Sequence, residues 1–86
     1  MYNGKPERLS DWRKIPSGDK RRSEYPSRIY YGPSRTYPAY VYDKNQQKWV
    51  LNRLMLKSII SLANIHKKPS ISRRAQRALE REFGSD

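Results

Sequence analysis

The stretch Leu51-Asn52-Arg53-Leu54-Met55-Leu56-Lys57-Ser58-Ile59-Ile60-Ser61-Leu62-Ala63-Asn64-Ile65-His66-Lys67-Lys68-Pro69-Ser70-Ile71-Ser72-Arg73-Arg74-Ala75-Gln76-Arg77-Ala78-Leu79-Glu80-Arg81-Glu82-Phe83-Gly84 decides the fold. Its first half reads as a helix over residues 51–66. Arg53, Lys57, Ser61, Asn64 and Lys68 step by four, four, three and four, which is one polar stripe. Leu51, Leu54, Met55, Leu56, Ile59, Ile60, Leu62 and Ile65 fill most of the remaining girth. A helix apolar over so much of its surface needs contacts on more than one side. Lys67 and Lys68 suit a helix C-terminus, and Pro69 disfavours helical geometry at Lys68. Ser70 then caps a second helix over about Ile71–Phe83, ended by Gly84. Ile71, Ala75, Ala78, Leu79 and Phe83 form its apolar face, and Arg73, Arg74, Arg77 and Arg81 project from the other side.

Working back along the chain, residues 39–52 read as a hairpin. Ala39-Tyr40-Val41-Tyr42 is rich in strand formers, Asp43-Lys44-Asn45-Gln46-Gln47 is turn-prone, and Lys48-Trp49-Val50-Leu51 is the return strand. The competing reading starts a helix at about Gln46 and runs it through Trp49. Residues 1–38 show neither helical nor strand periodicity. Pro6, Pro16, Pro26, Pro33 and Pro38 leave room for no helix longer than about two turns. The expected state is an extended or polyproline-II-like arm with turns at Ser17-Gly18-Asp19 and Gly32-Pro33-Ser34. One short helical turn fits around Leu9–Lys14, capped by Ser10 and anchored by Trp12. The expected fold class is therefore small α+β or mainly α: an extended basic Tyr/Pro-rich arm over 1–38, then a hairpin plus two-helix module over 39–86.

Composition supports this division. All seven tyrosines and five of the six prolines lie in the first 42 residues. Basic charge covers both parts, nine Lys+Arg against four Asp+Glu in 1–42 and ten against four in 43–86, for a net +11 over 86 residues. Such a chain seeks a polyanion. Residues 43–86 carry only thirteen large apolar side chains, so a partner surface, self-association or bound nucleic acid is expected to complete the fold. Self-association is expected through Leu51, Met55, Ile59 and Leu62.

Cysteine is absent, which excludes disulfide staples and thiolate metal sites. No apolar run approaches the ~18 residues of a membrane span, and the N-terminal residues lack a signal-peptide core. An intracellular or intravirion location is the expectation. His66 is the only histidine, the carboxylates are scattered, and the four glycines are isolated, so neither a catalytic constellation, an ordinary zinc site nor a phosphate-cradling loop is legible. No enzyme and no cofactor are expected.

Three constellations point to binding. Arg73, Arg77 and Arg81 lie at i, i+4, i+8, with Arg74 and Gln76 beside them. Stacked guanidinium groups repel unless an anion lies across them, and the planar fork binds phosphate oxygens in pairs. A solvated face, with Glu80 paired to Arg77, is the plain alternative. Lys67 and Lys68 add charge at the turn. In the arm, Arg21, Arg22, Arg28 and Arg35 interleave with Trp12, Tyr30, Tyr31 and Tyr37. Cations there would meet phosphates while rings stack on bases. Small ribosomal proteins and virion nucleic-acid-binding proteins have tails of similar look.

The run from Leu62 to Gly84, with Pro69-Ser70-Ile71-Ser72-Arg73-Arg74 followed by Leu79-Glu80 and Gly84, resembles the helix-turn-helix of bacterial and archaeal winged-helix regulators. That resemblance implies a second helix lying in the major groove, with Ser70, Ser72, Arg73, Gln76 and Arg77 meeting base edges. The likeness covers about a quarter of the chain, and the hairpin precedes the helices instead of following them as a wing.

Three functions are therefore expected, in this order: a non-enzymatic architectural nucleic-acid-binding component of a ribonucleoprotein, ribosome or virion; a small helix-turn-helix-like DNA-binding regulator; and a protein-only adaptor or minor capsid component. RNA and DNA are not distinguished by these residues.

Overall fold

The computed structural model describes residues 4–84. Its elements run α1 (Leu9–Trp12), three 3-10 turns (Lys20–Glu24, Ser27–Ile29 and Pro33–Arg35), β1 (Tyr40–Asp43), β2 (Lys48–Leu51), α2 (Arg53–Ile65) and α3 (Pro69–Phe83). The hairpin and the two C-terminal helices are those read from the sequence, and the fold is small α+β. β1 and β2 pair antiparallel with Tyr40 opposite Leu51 and Asp43 opposite Lys48. Asp43 closes the turn: its carboxylate accepts from the backbone N–H groups of Asn45 and Gln46 at 2.9 and 3.2 Å, and from the Gln46 side chain at 2.8 Å. Those bonds, the Gln46 backbone N–H first, hold its pKa below the usual carboxylate range.

α2 begins where Asn52 accepts from the Met55 N–H at 3.0 Å, an N-cap bond that satisfies one orphan donor. α3 starts earlier than the sequence suggested. Pro69 occupies its first turn, where a missing N–H costs nothing, and Lys68, not Ser70, stands at the N-cap without a side-chain cap. Lys67 takes φ 58°, the left-handed turn that separates the helices.

The arm corrects the expectation of an extended tail. It makes short turns at the places expected, but it folds back and supplies five of the seven buried residues of one core cluster. Trp12, Ile15, Tyr25, Ile29 and Tyr30 cluster with Val41 of β1 and Met55 of α2. Trp12 anchors α1 as anticipated, 3 % exposed. Ser10 does not cap it; the Asp11 carboxylate accepts from the Glu7 N–H at 3.0 Å instead. The Trp12 ring meets Tyr25 and Tyr30 edge-on at 5.9 and 5.8 Å, and its indole N–H donates to the Tyr40 carbonyl at 2.9 Å. Pairs of this geometry add to simple area burial. The Tyr42 N–H donates to the Pro6 carbonyl at 2.8 Å, which ties the start of the arm to β1.

Residues 29–39 form a second, irregular hairpin. Tyr31 and Gly32 donate to Tyr37 and Thr36, and Ala39 donates to Ile29, at 2.9–3.0 Å. A side chain at Gly32 would collide with Thr36 Oγ1 and the Tyr37 ring, so the close approach itself requires glycine.

α2 lies between two apolar clusters. Met55 enters the aromatic one, whereas Leu56 and Ile59 pack with Ala39 and with Ala75 and Ala78 of α3. Two sides of the wide apolar girth of α2 thus pack inside the chain, while Leu54, Leu62 and Ile65 stay exposed. This corrects the proposed self-association face: Met55 and Ile59 are each 2 % exposed and Leu51 is half-buried, leaving only Leu62 of the four accessible. Among the described residues no helix is long and apolar enough to cross a membrane.

Candidate nucleic-acid interface

α3 buries Ser72, Ala75 and Ala78, and this fixes the direction of its arginines. Residues at 70, 73, 74, 77 and 81 then share the flank of the helix that faces the arm. There Tyr31 and Tyr40 stand beside them. Together Ser70, Arg73, Arg74, Arg77, Ala78, Arg81, Tyr31 and Tyr40 line an open groove of about 700 Å³. No carboxylate lines it, although Arg81 pairs at the rim with Glu82 at 3.0 Å. The Arg77–Glu80 ion pair that the plain solvated-face alternative would use is not formed among the described residues.

The aromatic wall is specific. The Arg74 guanidinium lies 4.2 Å from the centre of the Tyr31 ring, and that of Arg28 lies 5.7 Å from the Tyr40 ring. Each is a cation–π contact, and that of Arg74 holds its long side chain along the groove. Burial pushes the Tyr31 hydroxyl above its ordinary pKa, so the ring presents a neutral donor beside the cations. The groove therefore joins sequence-distant parts: Tyr31 from the arm, Tyr40 from β1 and four arginines from α3, while Arg28 rests on the Tyr40 ring outside the lining.

Other anticipated site residues lie elsewhere. Trp12 and Tyr30 have their rings in the core, so neither is available to stack on a base; burial pushes the Tyr30 pKa up to about 12, and its hydroxyl donates to the Arg22 carbonyl at 3.0 Å. Arg22 is also corrected. It is 8 % exposed, and it donates to the carbonyls of Arg35 and Ile15, each at 2.9 Å, while lying over the Trp12 ring. Arg21 is engaged by Asp19, with Nη2 at 2.9 Å and Nε at 3.0 Å from its oxygens. That contact holds the Asp19 carboxyl down at about 2. Arg35 is exposed on a left-handed turn outside the groove, and Tyr37 bonds His66 Nδ1 through its hydroxyl at 2.6 Å. Lys67 and Lys68 are exposed at the α2–α3 turn, away from the groove lining.

Of the residues that the resemblance assigns to base edges, Ser70, Arg73 and Arg77 are exposed on the groove flank. Ser72 is 3 % exposed, and Gln76 donates to it at 3.3 Å on the flank away from the groove. Tyr40 was the member missed by sequence reasoning. Its alternation in a strand predicts one accessible face, and that was the only signal for it.

Among the described residues, no three His, Asp or Glu side chains come together as a metal site. No family model, curated protein or solved structure matches the chain.

Proposed function

We propose that this chain is a non-enzymatic, architectural nucleic-acid-binding protein, a small basic component of a larger ribonucleoprotein or virion assembly. The observation that carries the reading is the groove in which four arginines of α3 face two tyrosine rings with no carboxylate on the lining. Guanidinium groups at successive helical turns match consecutive phosphates, and the half-exposed Tyr31 offers a face or a hydroxyl to a sugar or base. The burial of Ser72 and the tethering of Gln76 favour backbone contact over base reading. The net charge of +11 supplies long-range attraction for a polyanion.

The test is binding to duplex and single-stranded nucleic acid across a salt series. Engagement of phosphates by the four groove arginines gives a log–log slope of about −3.5 on duplex DNA, steeper if further cations join. Arg77→Ala should reduce the slope by about 1 and weaken all sequences alike. A flat salt dependence overturns the reading. If Arg73→Ala and Gln76→Ala relax a sequence preference, the chain is a helix-turn-helix regulator instead.

A further inference from the structure

A second concavity lies on the face of α2 turned away from α3. Leu54, Ser58, Ser61, Leu62 and Ile65 share that face, opposite Leu56, which packs on the alanines of α3. The three aliphatic side chains are 58 %, 43 % and 68 % exposed, the most accessible aliphatic residues of the described chain. Leu54 and Leu62 edge a cleft of about 1100 Å³ whose floor includes Trp12, Ile15, Met55 and Ile59. Two small serines set between large aliphatics form a shallow channel, the shape into which a ridge of another helix packs.

The charge around this cleft has one sign. Arg13, Arg22 and Lys68 line it, and no carboxylate does. Arg22 is the informative member. Its guanidinium is buried, its N–H groups reach only backbone carbonyls, and its Nε–H has no acceptor at all. A buried cation with no carboxylate hydrogen-bonded to it, eased only at longer range by Asp19, is costly, and the cost falls when an anion arrives beside it. Desolvation accordingly lowers the affinity of Arg22 for its proton.

We propose that this cleft docks an acidic amphipathic helix of a partner protein, with leucine-like side chains against Leu54 and Leu62 and carboxylates toward Arg22, Arg13 and Lys68. A second copy of the chain is disfavoured as occupant, because each copy carries +11 and presents the same cationic rim. The cleft is separate from the arginine groove and does not depend on its function. A component with an anion-binding face and an acidic-helix-binding face would bridge nucleic acid to protein.

A display library of helical peptides selected against the whole chain tests this. Enriched peptides should combine large apolar residues at i, i+3, i+4, i+7 with flanking Asp or Glu. Their affinity should fall at least about tenfold for Leu54→Ser combined with Leu62→Ser. Arg13→Glu combined with Lys68→Glu should weaken them comparably. Circular dichroism checks that these surface variants keep the fold, and nucleic-acid binding should survive the leucine pair. The proposal is overturned by the absence of enrichment, by peptides without acidic residues, or by binding indifferent to Leu54 and Leu62, which would place acidic peptides in the arginine groove. Sedimentation showing a dimer that the leucine substitutions dissolve would also overturn it, in favour of a second copy.

Discussion

Replacing Trp12 by alanine measures how far the first half of the chain belongs to the fold. The side chain is 3 % exposed, meets two tyrosines edge-on and donates its indole N–H to Tyr40. Truncating a core aromatic costs about 3–5 kcal/mol. That range already contains the edge-on pairs, but the abandoned Tyr40 carbonyl pushes the loss to its upper part. A chain of 86 residues has a total stability of about 4–13 kcal/mol. Trp12→Ala therefore removes a third or more of it. With a urea dependence of about 1 kcal/mol per molar, the midpoint falls by about 4 M or the folded baseline vanishes. Trp49 remains as the single fluorescent reporter, since the chain has two tryptophans. Trp12→Phe keeps the apolar body and loses the donor, a drop of about 1–2 kcal/mol. A midpoint shift below about 1 M for Trp12→Ala refutes the packing described here and restores the independent tail.

Three further outcomes follow from local geometry. Tyr31→Ala removes the support for Arg74 and should weaken nucleic-acid binding severalfold, about 1 kcal/mol, with the salt slope unchanged; a changed slope with unchanged affinity at low salt contradicts the wall-and-cation arrangement. Arg21 holds the Asp19 carboxyl at about 2 against an ordinary 3.8, so its stabilising contribution is complete above about pH 4 and vanishes as pH falls toward 2. Urea midpoints across that window should decline less for Asp19→Asn than for the wild type; Asp43 supplies the residual slope, and equal declines count against the ion pair. Gly32→Ala forces the turn at residues 29–39 apart and should lower stability by about 1–3 kcal/mol in the same assay; a neutral result means the loop is looser than its contacts imply.

The hairpin and the helices were legible because their signals are local. Strand formers flank a polar turn, a polar stripe steps at helical spacing, and Pro69 marks the break between helices. The arginine flank of α3 was legible for the same reason. The folding-back of the arm was not. Trp12, Ile15, Ile29 and Tyr30 bury against residues far along the chain, and no periodicity encodes such contacts when prolines interrupt every helix or strand. A clue existed in the apolar girth of α2, which demanded packing on two sides; the missing partner was the arm itself. Arg22 was unreadable as a core residue, because a basic run gives no sign which member finds carbonyl acceptors. Tyr31 could be named but not placed, since its position beside Arg74 depends on the loop around Gly32.

Trp12 and the carbonyl that accepts its hydrogen bond are 28 residues apart, and Met55 lies further on. Closing so wide a loop costs entropy before any contact repays it. During synthesis the first half therefore emerges as cationic, aromatic chain with nothing to close upon. It condenses only after α2 has followed. The groove, whose walls are Tyr31, Tyr40 and the arginines of α3, needs one helix more. A nascent or truncated chain would offer charge without shape, and selectivity among anions would arrive only with the last helix.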